Sequence, residues 1–241
     1  MAELILVRHG QASFGADDYD KLSELGWRQS RWLGEHFAER GAAFDRVIRG
    51  SLRRHVETLN GIAEGMGREL NGGEDPRLNE YDSHALLSAH LKGRPLPESG
   101  DRREHFRVLR EAMYAWTAGT LAGAPHEPFS EFRGRVLGAL KDLRGGAVKR
   151  VLAALAAVLR EENAGRAKRV LVVSSGGPIS TILAAVLGMP LRGVVDLNLQ
   201  TRNTGISELQ AGSKRIHCVS FNNVPHLDRP DRAGADRKSV V

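Results

Sequence analysis

The stretch "KRVLVVSSGGPIS", Lys168 to Ser180, combines an apolar run, a glycine-rich turn and the start of a helix. The run "VLVV" predicts a buried strand, and Pro178 suits the first turn of the helix that follows it. Backbone N–H groups at such a turn form a ready binding site for an anion. This strand–turn–helix order favours an α/β fold and marks the turn as a candidate anion site.

Other segments extend this pattern in both directions. The apolar runs "ELILVRHG", "FDRVIRGS", "TGISELQ" and "RIHCVSF" predict strands, the last two as a pair, and the segment 69–82 is turn-rich with room for one short strand. Apolar residues at helical spacing predict helices near 25–37, 52–66, 106–116, 132–143, 148–159 and 179–186. The order predicts a three-layer α/β sandwich, in which a mostly parallel central sheet is flanked by helices and a helical insertion lies over the site.

The domain organisation follows from where the patterns begin and end. We expect one domain over residues 1–227, with an insertion at about 84–130 as a cap over the pocket. The segment "LDRPDRAGADRKSVV" mixes both charge signs, so residues 228–241 are expected to form a flexible tail.

Composition limits the classes of partner. Hydrophobic residues make up 41% of the chain and charged residues 27%, which is typical of a globular protein. The net charge of +6 favours anionic partners, but the basic residues are scattered, so a small phosphorylated ligand is favoured over nucleic acid. The longest apolar run, Val151 to Leu159, is too short for a membrane span. With Cys218 as its one cysteine, the chain is expected to be cytoplasmic. The sequence leaves the oligomeric state open.

Chemistry-bearing residues follow four of the predicted elements. In α/β sheets, ligands bind beyond the carboxyl ends of the strands. There the sequence places Arg8-His9-Gly10, the basic stretch Arg49 to His55, the acids Glu80 and Asp82, and the turn Ser174 to Gly177. Arginines clamp phosphate oxygens, a histidine can attack phosphorus, and a carboxylic acid can protonate a leaving oxygen. A lone histidine after a strand is more often structural. The prediction of a phosphate site therefore depends on all four groups of residues lying at one edge of the sheet.

The same residues carry a family resemblance. "LVRHGQ", "LSELGWRQS" and "RLNE" resemble motifs of the histidine phosphatase superfamily, which includes cofactor-dependent phosphoglycerate mutase. "GSLRRHVETL" resembles its Ser-Pro-Leu-x-Arg-Ala-x-Gln-Thr-Ala pattern, with Arg54 at the arginine and Thr58 at the threonine. "VLVVSSGGPI", "RNTGI" and "NNVPHL" resemble its later segments. The resemblance spans about residues 3–227.

This resemblance implies roles for particular residues. His9 would be the nucleophile that forms a phosphohistidine, and Glu80 the general acid. Arg8 and Arg54 would hold the phosphate and complete the catalytic set, with Gln11, Ser175 and Gly176 as further phosphate contacts. No metal or other cofactor is implied, because arginines supply the positive charge. The expected function is a metal-independent phosphomonoester phosphatase that takes a small phosphorylated substrate or inorganic phosphate.

Two departures from the family pattern keep alternatives open. Ser175 stands where the family has a second catalytic histidine, and losing one charged transition-state donor costs about 10²–10³ in rate. The chain could thus be a slow phosphatase or a non-catalytic binder of phosphorylated ligands. His55, His84 or the lysine or arginines of the 84–130 insertion are candidate substitutes for the lost group. Gly15 replaces the asparagine of the mutases, which disfavours a phosphoglycerate mutase-type phosphotransferase. A serine hydrolase is disfavoured because Val173 replaces the first glycine of the Gly-x-Ser-x-Gly turn.

Overall fold

A central sheet organises the described part of this computed structural model, which comprises residues 2–13, 20–95, 102–121, 127–143, 168–212, 215–232 and 234–235. Within these residues the sheet has six strands: β1 (Ala2–Arg8), β2 (Arg46–Arg49), β3 (Gly73–Glu74), β4 (Lys168–Ser174), β5 (Ile206–Ala211) and β6 (Ile216–Asn223). Their order is β3-β2-β4-β1-β5-β6. The first four of these strands are parallel, and β5 and β6 run antiparallel to their neighbours. The predicted mostly parallel sheet is thereby confirmed.

Both faces of the sheet are covered by helices. The described helices are α1 (Glu24–Glu39), α2 (Arg53–Met66), α3 (Ser83–Leu91), α4 (Arg102–Thr117), α5 (Phe129–Lys141), α6 (Gly176–Val186) and α7 (Arg192–Gln200). Successive residues of β1 point to opposite faces. Ile5 and Val7 pack with residues of α1 and α2, whereas Leu4 and Leu6 pack with residues of α3 to α7. The three-layer sandwich is as expected.

Helices α1 and α2 pack closely against each other. A Cβ on Gly61 of α2 would lie 2.6 Å from the Cβ of Ser30 on α1, so glycine permits this approach. The hydroxyl of Ser30 donates to the carbonyl of Gly26 at 2.8 Å. This contact satisfies the buried hydroxyl within its own helix.

The buried side of α2 differs in part from the predicted apolar side. Leu59 is buried as expected, but Ala63 and Met66 are only half-buried. The helix instead buries the polar residues Arg54, His55 and Thr58. Because these side chains lie in the first two turns, α2 delivers polar groups to the carboxyl edge of the sheet.

Two helices were absent from the prediction. Both α3 and α7 have nine residues, a length at which tertiary packing rather than local pattern decides the structure. Asp82 caps α3 by accepting from the N–H of Ala85 at 3.0 Å, which gives the second predicted acid a structural contact. The helix predicted from the spacing at 148–159 lies outside the described residues.

The insertion and the tail each contribute to packing. Leu86 of α3 and Met113 of α4 belong to the same apolar cluster as Leu4 of β1, so the described helices of the 84–130 segment share the main core. In the predicted tail, Arg232 pairs with Glu35 at 2.8 Å, and the carbonyl of Ala235 accepts from Gln29 at 2.7 Å. The described end of the chain therefore packs on α1.

A candidate active site at the ends of β1 and β4

His9 follows β1 directly and is 3% exposed. Its N–H donates to the carbonyl of Ser174 at 2.9 Å, and its Nδ1 lies 2.7 Å from the carbonyl of Gly10. Because a carbonyl can only accept, Nδ1 carries the proton and Nε2 keeps its lone pair. Burial, followed by the charges of Arg54 and Arg8, holds the pKa of His9 well below its usual 6.5. The neutral ring therefore presents Nε2 as the candidate nucleophilic atom.

Two buried arginines supply the positive charge near His9. The guanidinium of Arg8 donates to the carbonyl of Thr201 at 2.5 Å, and Arg54 donates to the carboxylate of Asp20 at 2.5 Å. Both guanidinium groups oppose the rise in the pKa of Glu80 as well as lowering the pKa of His9. They thus lie close to both the candidate nucleophile and the candidate acid, where guanidinium forks suit phosphate oxygens.

Glu80 is held by the glycine-rich turn that follows β4. Both of its carboxylate oxygens accept from the N–H of Gly177 at 3.1 Å. A Cβ on Gly177 would lie 2.1 Å from Oε1, so only glycine allows this approach. Burial raises the pKa of Glu80 above its ordinary 4.5 against these opposing contacts. The N-terminus of α6 thus holds a carboxyl group whose protonated form is favoured by burial, as a general acid requires.

Ser175 and His55 form a buried pair beside His9. Ser175 Oγ lies 2.7 Å from His55 Nε2, and both residues are fully buried. The rings of His55 and His9 have centroids 5.9 Å apart. Burial and the charge of Arg54 hold the pKa of His55 well below 6.5. An imidazole therefore lies next to the nucleophile, but it comes from α2 and is neutral.

The other predicted phosphate contacts, Gly176 and Gln11, lie beside different residues. A Cβ on Gly176 would lie 3.7 Å from Arg8 Nε, which places this residue beside the arginine. The side-chain oxygen of Gln11 accepts from Ser23 at 2.9 Å, at the start of α1. Arg53 pairs with Glu57 on the surface at 2.6 Å. The structure thus brings together Arg8, His9, Arg54, Glu80, Ser175 and Gly176, while Gln11 lies on the α1 side.

Two contributions were missed from the sequence. Asp20 binds Arg54, and no pattern around it pointed to this contact. The loop Thr201–Gly205, called the 201–205 loop below, holds Arg8 and His9 through several hydrogen bonds. The first four residues of the motif "RNTGI" lie in this loop and its isoleucine begins β5, so the resemblance marked the segment without indicating its contacts.

The described ranges contain neither a cluster of metal ligands nor a membrane-spanning helix. Within the described ranges, no three or more His, Cys, Asp or Glu side chains cluster closely enough to hold a metal ion. None of the helices in those ranges combines the length and apolarity that crossing a membrane requires.

Comparison with known proteins places the chain in a family. The family model for the histidine phosphatase superfamily (branch 1) matches residues 4–147 and 146–224. The protein therefore belongs to the histidine phosphatase superfamily, and the phosphoglycerate mutase-like fold expected from the motifs is confirmed.

Solved structures with the same fold include three informative neighbours. Bacillus stearothermophilus YhfR is 18% identical with a TM-score of 0.65, over 95% of this chain and 100% of its own. Mycobacterial glucosyl-3-phosphoglycerate phosphatase with inorganic phosphate is 22% identical with a TM-score of 0.58, over 94% and 99%. A phosphoserine phosphatase mutant from Entamoeba histolytica with phosphoserine is 19% identical with a TM-score of 0.57, over 94% and 100%. The TM-scores and the coverage of both chains support the shared fold.

Proposed function

We propose that this protein is a metal-independent phosphomonoester phosphatase that acts through a phosphohistidine on His9. The observation that carries the proposal is the state of the His9 ring. Its Nδ1–H is fixed on the Gly10 carbonyl, which leaves the Nε2 lone pair for phosphorus, and its lowered pKa keeps it neutral. A structural histidine in the core has no need of two neighbouring arginines that disfavour its protonation.

The first half of the reaction transfers the phosphoryl group to the protein. His9 Nε2 attacks phosphorus as the bond from phosphorus to the ester oxygen breaks. Glu80 gives its proton to that oxygen, so the alcohol leaves neutral. Arg8 and Arg54 stabilise the charge on the remaining phosphoryl oxygens. The raised pKa of Glu80 supports this role, since a proton must be present before the bond breaks.

The second half returns the protein to its starting state. The Glu80 carboxylate takes a proton from water, and the water oxygen attacks phosphorus as the N–P bond breaks. The products are inorganic phosphate, a neutral His9 and a protonated Glu80, so atoms and protons balance. The mycobacterial and Entamoeba neighbours are named as phosphatases, one solved with phosphate and one with phosphoserine. They support a small phosphorylated substrate as the class.

The rate is expected to be modest. Ser175 and His55 contribute no positive charge at neutral pH, so the transition state depends on Arg8 and Arg54. Gln11, Ser175 and Gly176 remain proposed phosphate contacts without a charge of their own. The missing charged donor corresponds to a loss of about 10²–10³ in rate.

The test is turnover of p-nitrophenyl phosphate in the presence of a chelator, with His9→Ala beside the wild type. We expect turnover that His9→Ala lowers by at least about 10³-fold, and an acid-labile, base-stable phosphoprotein after rapid quenching. His217→Ala, at an exposed histidine of β6, is the matched control and should leave the rate unchanged. Equal rates in wild type and His9→Ala would contradict the proposal.

One observation favours a second candidate, a non-catalytic binder of phosphorylated ligands. The imidazole beside His9 is neutral and bound to Ser175, so the site has fewer charged donors than the family pattern. Calorimetry with inorganic phosphate separates the two candidates. Binding that Arg54→Leu abolishes, without any His9-dependent turnover, would establish the binder and exclude the phosphatase.

A further inference from the structure

The 201–205 loop makes hydrogen bonds to the backbone of Arg8 and His9. The carbonyl of His9 accepts from Asn203 Nδ2 at 3.2 Å and from the N–H of Thr204 at 3.3 Å. The N–H of Arg8 donates to the carbonyl of Gly205 at 3.2 Å. Asn203 and Thr204 are 1% and 0% exposed, so no water competes for these contacts. The loop therefore fixes the position and orientation of the His9 backbone, and through it those of the His9 ring.

Thr204 adopts an unusual backbone conformation to make this contact. Its φ is +53°, a region that β-branched residues adopt rarely because of steric conflict. Strained residues of this kind persist only where the surrounding structure enforces them, and they concentrate at functional sites. We therefore expect a neighbouring residue to hold Thr204 in this conformation.

That partner is His226. The Thr204 hydroxyl donates its single proton to the carbonyl of Asn203 at 2.7 Å. Its contact with His226 Nε2 at 2.8 Å must therefore be one in which Nε2–H donates to the hydroxyl. His226 is fully buried, and its Nδ1 has no hydrogen-bond partner in the described part of the chain. A neutral ring with its proton on Nε2 satisfies this arrangement.

His226 is in turn anchored to α1. Its carbonyl accepts from Arg232 Nη1 at 2.7 Å, and the same guanidinium pairs with Glu35 at 2.8 Å. The guanidinium also lies over the ring of Trp32, 4.8 Å from its centroid. A continuous set of contacts thus runs from α1 through His226 and Thr204 to the carbonyl of His9.

We propose that Thr204 and His226 are positioning residues for the His9 ring. His226 holds Thr204 in its left-handed conformation, and this conformation aims the Thr204 N–H at the His9 carbonyl. The inference rests on the proposed function, because its kinetic effect requires His9 to be the nucleophile. Neither residue touches the substrate; both act through the placement of His9.

Glycine at position 204 separates positioning from mere stability. Glycine adopts a positive φ without strain, so Thr204→Gly should keep the melting temperature within a few degrees or raise it. It also removes the hydroxyl that links the loop to His226. We expect kcat to fall about 10- to 100-fold with KM changed less than about threefold, since a small misplacement of a reacting group has effects of this size. A wild-type kcat in Thr204→Gly would overturn the proposal.

Conservative variants and a matched control complete the kinetic test. Thr204→Ser keeps the hydroxyl and His226→Gln keeps an N–H donor, so both should retain kcat within about threefold. His226→Phe should match Thr204→Gly, and the double variant should be no worse than either single one, because both break one link. Thr181→Val alters a buried threonine whose hydroxyl has no partner among the described residues, and its kcat should stay at the wild-type value. A loss shared equally by Thr181→Val, or additive losses in the double variant, would contradict the proposal.

A second readout is independent of turnover. Nitrogen-15 NMR of labelled histidine reports the tautomer and pKa of His9, assigned by comparison with His9→Ala. Thr204→Gly should shift the His9 signals, and Thr204→Ser should not. If the wild type lacked His9-dependent turnover, the proposed function would fail while this readout would still decide the positioning role. Unchanged His9 signals in Thr204→Gly would exclude it.

Discussion

The turns that follow β1 and β4 begin at the same level of the sheet, because Arg8 pairs in register with Ser174, yet they make different kinds of contact. The β1 turn fixes the proposed nucleophile: His9 is bound on both sides of its backbone and through Nδ1, whereas no such contact holds Nε2 among the described residues. The β4 turn fixes the proposed acid: its N–H at Gly177 binds the carboxyl of Glu80. The family resemblance predicts the residues of the first turn closely, whereas it predicts a histidine where the second turn has Ser175.

This difference explains what the glycine-rich turn is for. A helix N-terminus attracts anions, and here an anion-forming side chain of the protein itself occupies that position. The turn therefore positions the proposed general acid in addition to any part that Gly176 has in binding phosphate. Ser175 of this turn contacts the imidazole of His55, which comes from α2. The predictions below challenge each half of this comparison in turn.

Glu80→Gln should have the largest effect on the β4 side. The amide can still accept from Gly177 but cannot give a proton, so kcat should fall about 10²–10³-fold for alkyl phosphates. The loss should be smaller for p-nitrophenyl phosphate, whose leaving group needs little protonation. In the wild type, kcat/KM should fall at low pH as His9 becomes protonated, below its usual 6.5, and at high pH as Glu80 loses its proton, above 4.5.

These expectations are measured as pH profiles of wild type and Glu80→Gln on both substrates. The alkaline limb should vanish in the variant, because the residue that must be protonated is gone, while the acid limb should stay. An alkaline limb of unchanged shape in Glu80→Gln would assign that limb to another group and remove Glu80 as the acid.

Gly177→Ala should reproduce part of this loss without touching a titratable group. The added methyl would lie 2.1 Å from Glu80 Oε1, so the carboxyl must move away from the turn. We expect kcat to fall about 10- to 100-fold on alkyl phosphates, with the same dependence on leaving group as Glu80→Gln. Gly134→Ala in α5 is the control, since no described atom outside the adjoining backbone of α5 and the two neighbouring residues lies within 4 Å of its added Cβ. Equal kinetics in Gly177→Ala and wild type would mean that the turn does not position Glu80.

Local pattern was sufficient for the strands that form the centre of the sheet. Runs such as "LILV" and "VLVV" are buried on both faces, and their uniform hydrophobicity is the mark of interior parallel strands. His9, Arg8, Arg54 and Glu80 could be placed because each follows an element whose carboxyl end lies at one edge. The helices α3 and α7 could not, because nine residues carry too little periodicity to outweigh packing.

The contact between Ser175 and His55 could not be predicted from the sequence, for a different reason. The two residues are 120 positions apart, and the pattern around each one is complete without the other. The sequence offered His55 only as one of several substitutes for the histidine expected at Ser175, and His55 itself stands where the motif has alanine. Only the fold reveals that the two departures meet. The positive φ of Thr204 was hidden in the same way, since threonine rarely adopts it.

Restoring the family arrangement at this pair should need both changes together. Ser175→His alone would force a large side chain against His55, and overpacking of this kind costs about 1–3 kcal/mol. Combining it with His55→Ala makes room for a histidine at the β4 turn. We expect the double variant to turn over p-nitrophenyl phosphate at least about tenfold faster than the wild type, since one donor of this kind is worth about 10²–10³.

The outcome is read from kcat together with the melting temperature of all four proteins. Ser175→His should be the least stable of them, and the double variant should recover most of that loss, because the two residues are in contact. A double variant as unstable as the sum of its single ones would show that the residues do not share one space. A stable double variant without a gain in kcat would mean that a missing cation does not limit the reaction.

The smallest effect on activity should come from the histidine behind the β1 turn. Burial lowers the pKa of His226 to about 3, whereas an unfolded histidine has about 6.5. Below pH 6.5, His226 therefore binds a proton in the unfolded chain but stays neutral in the native protein. The free energy of unfolding falls as the pH falls, until the pH passes the native pKa of about 3. His226→Gln removes this one term while keeping the N–H donor to Thr204, so at pH 5 it should lose about 2 kcal/mol less than the wild type does relative to pH 7. Urea unfolding at the two pH values measures this difference, with His217→Gln on exposed β6 as the control; an equal acid loss in wild type and His226→Gln would mean that His226 is not neutral in the native state.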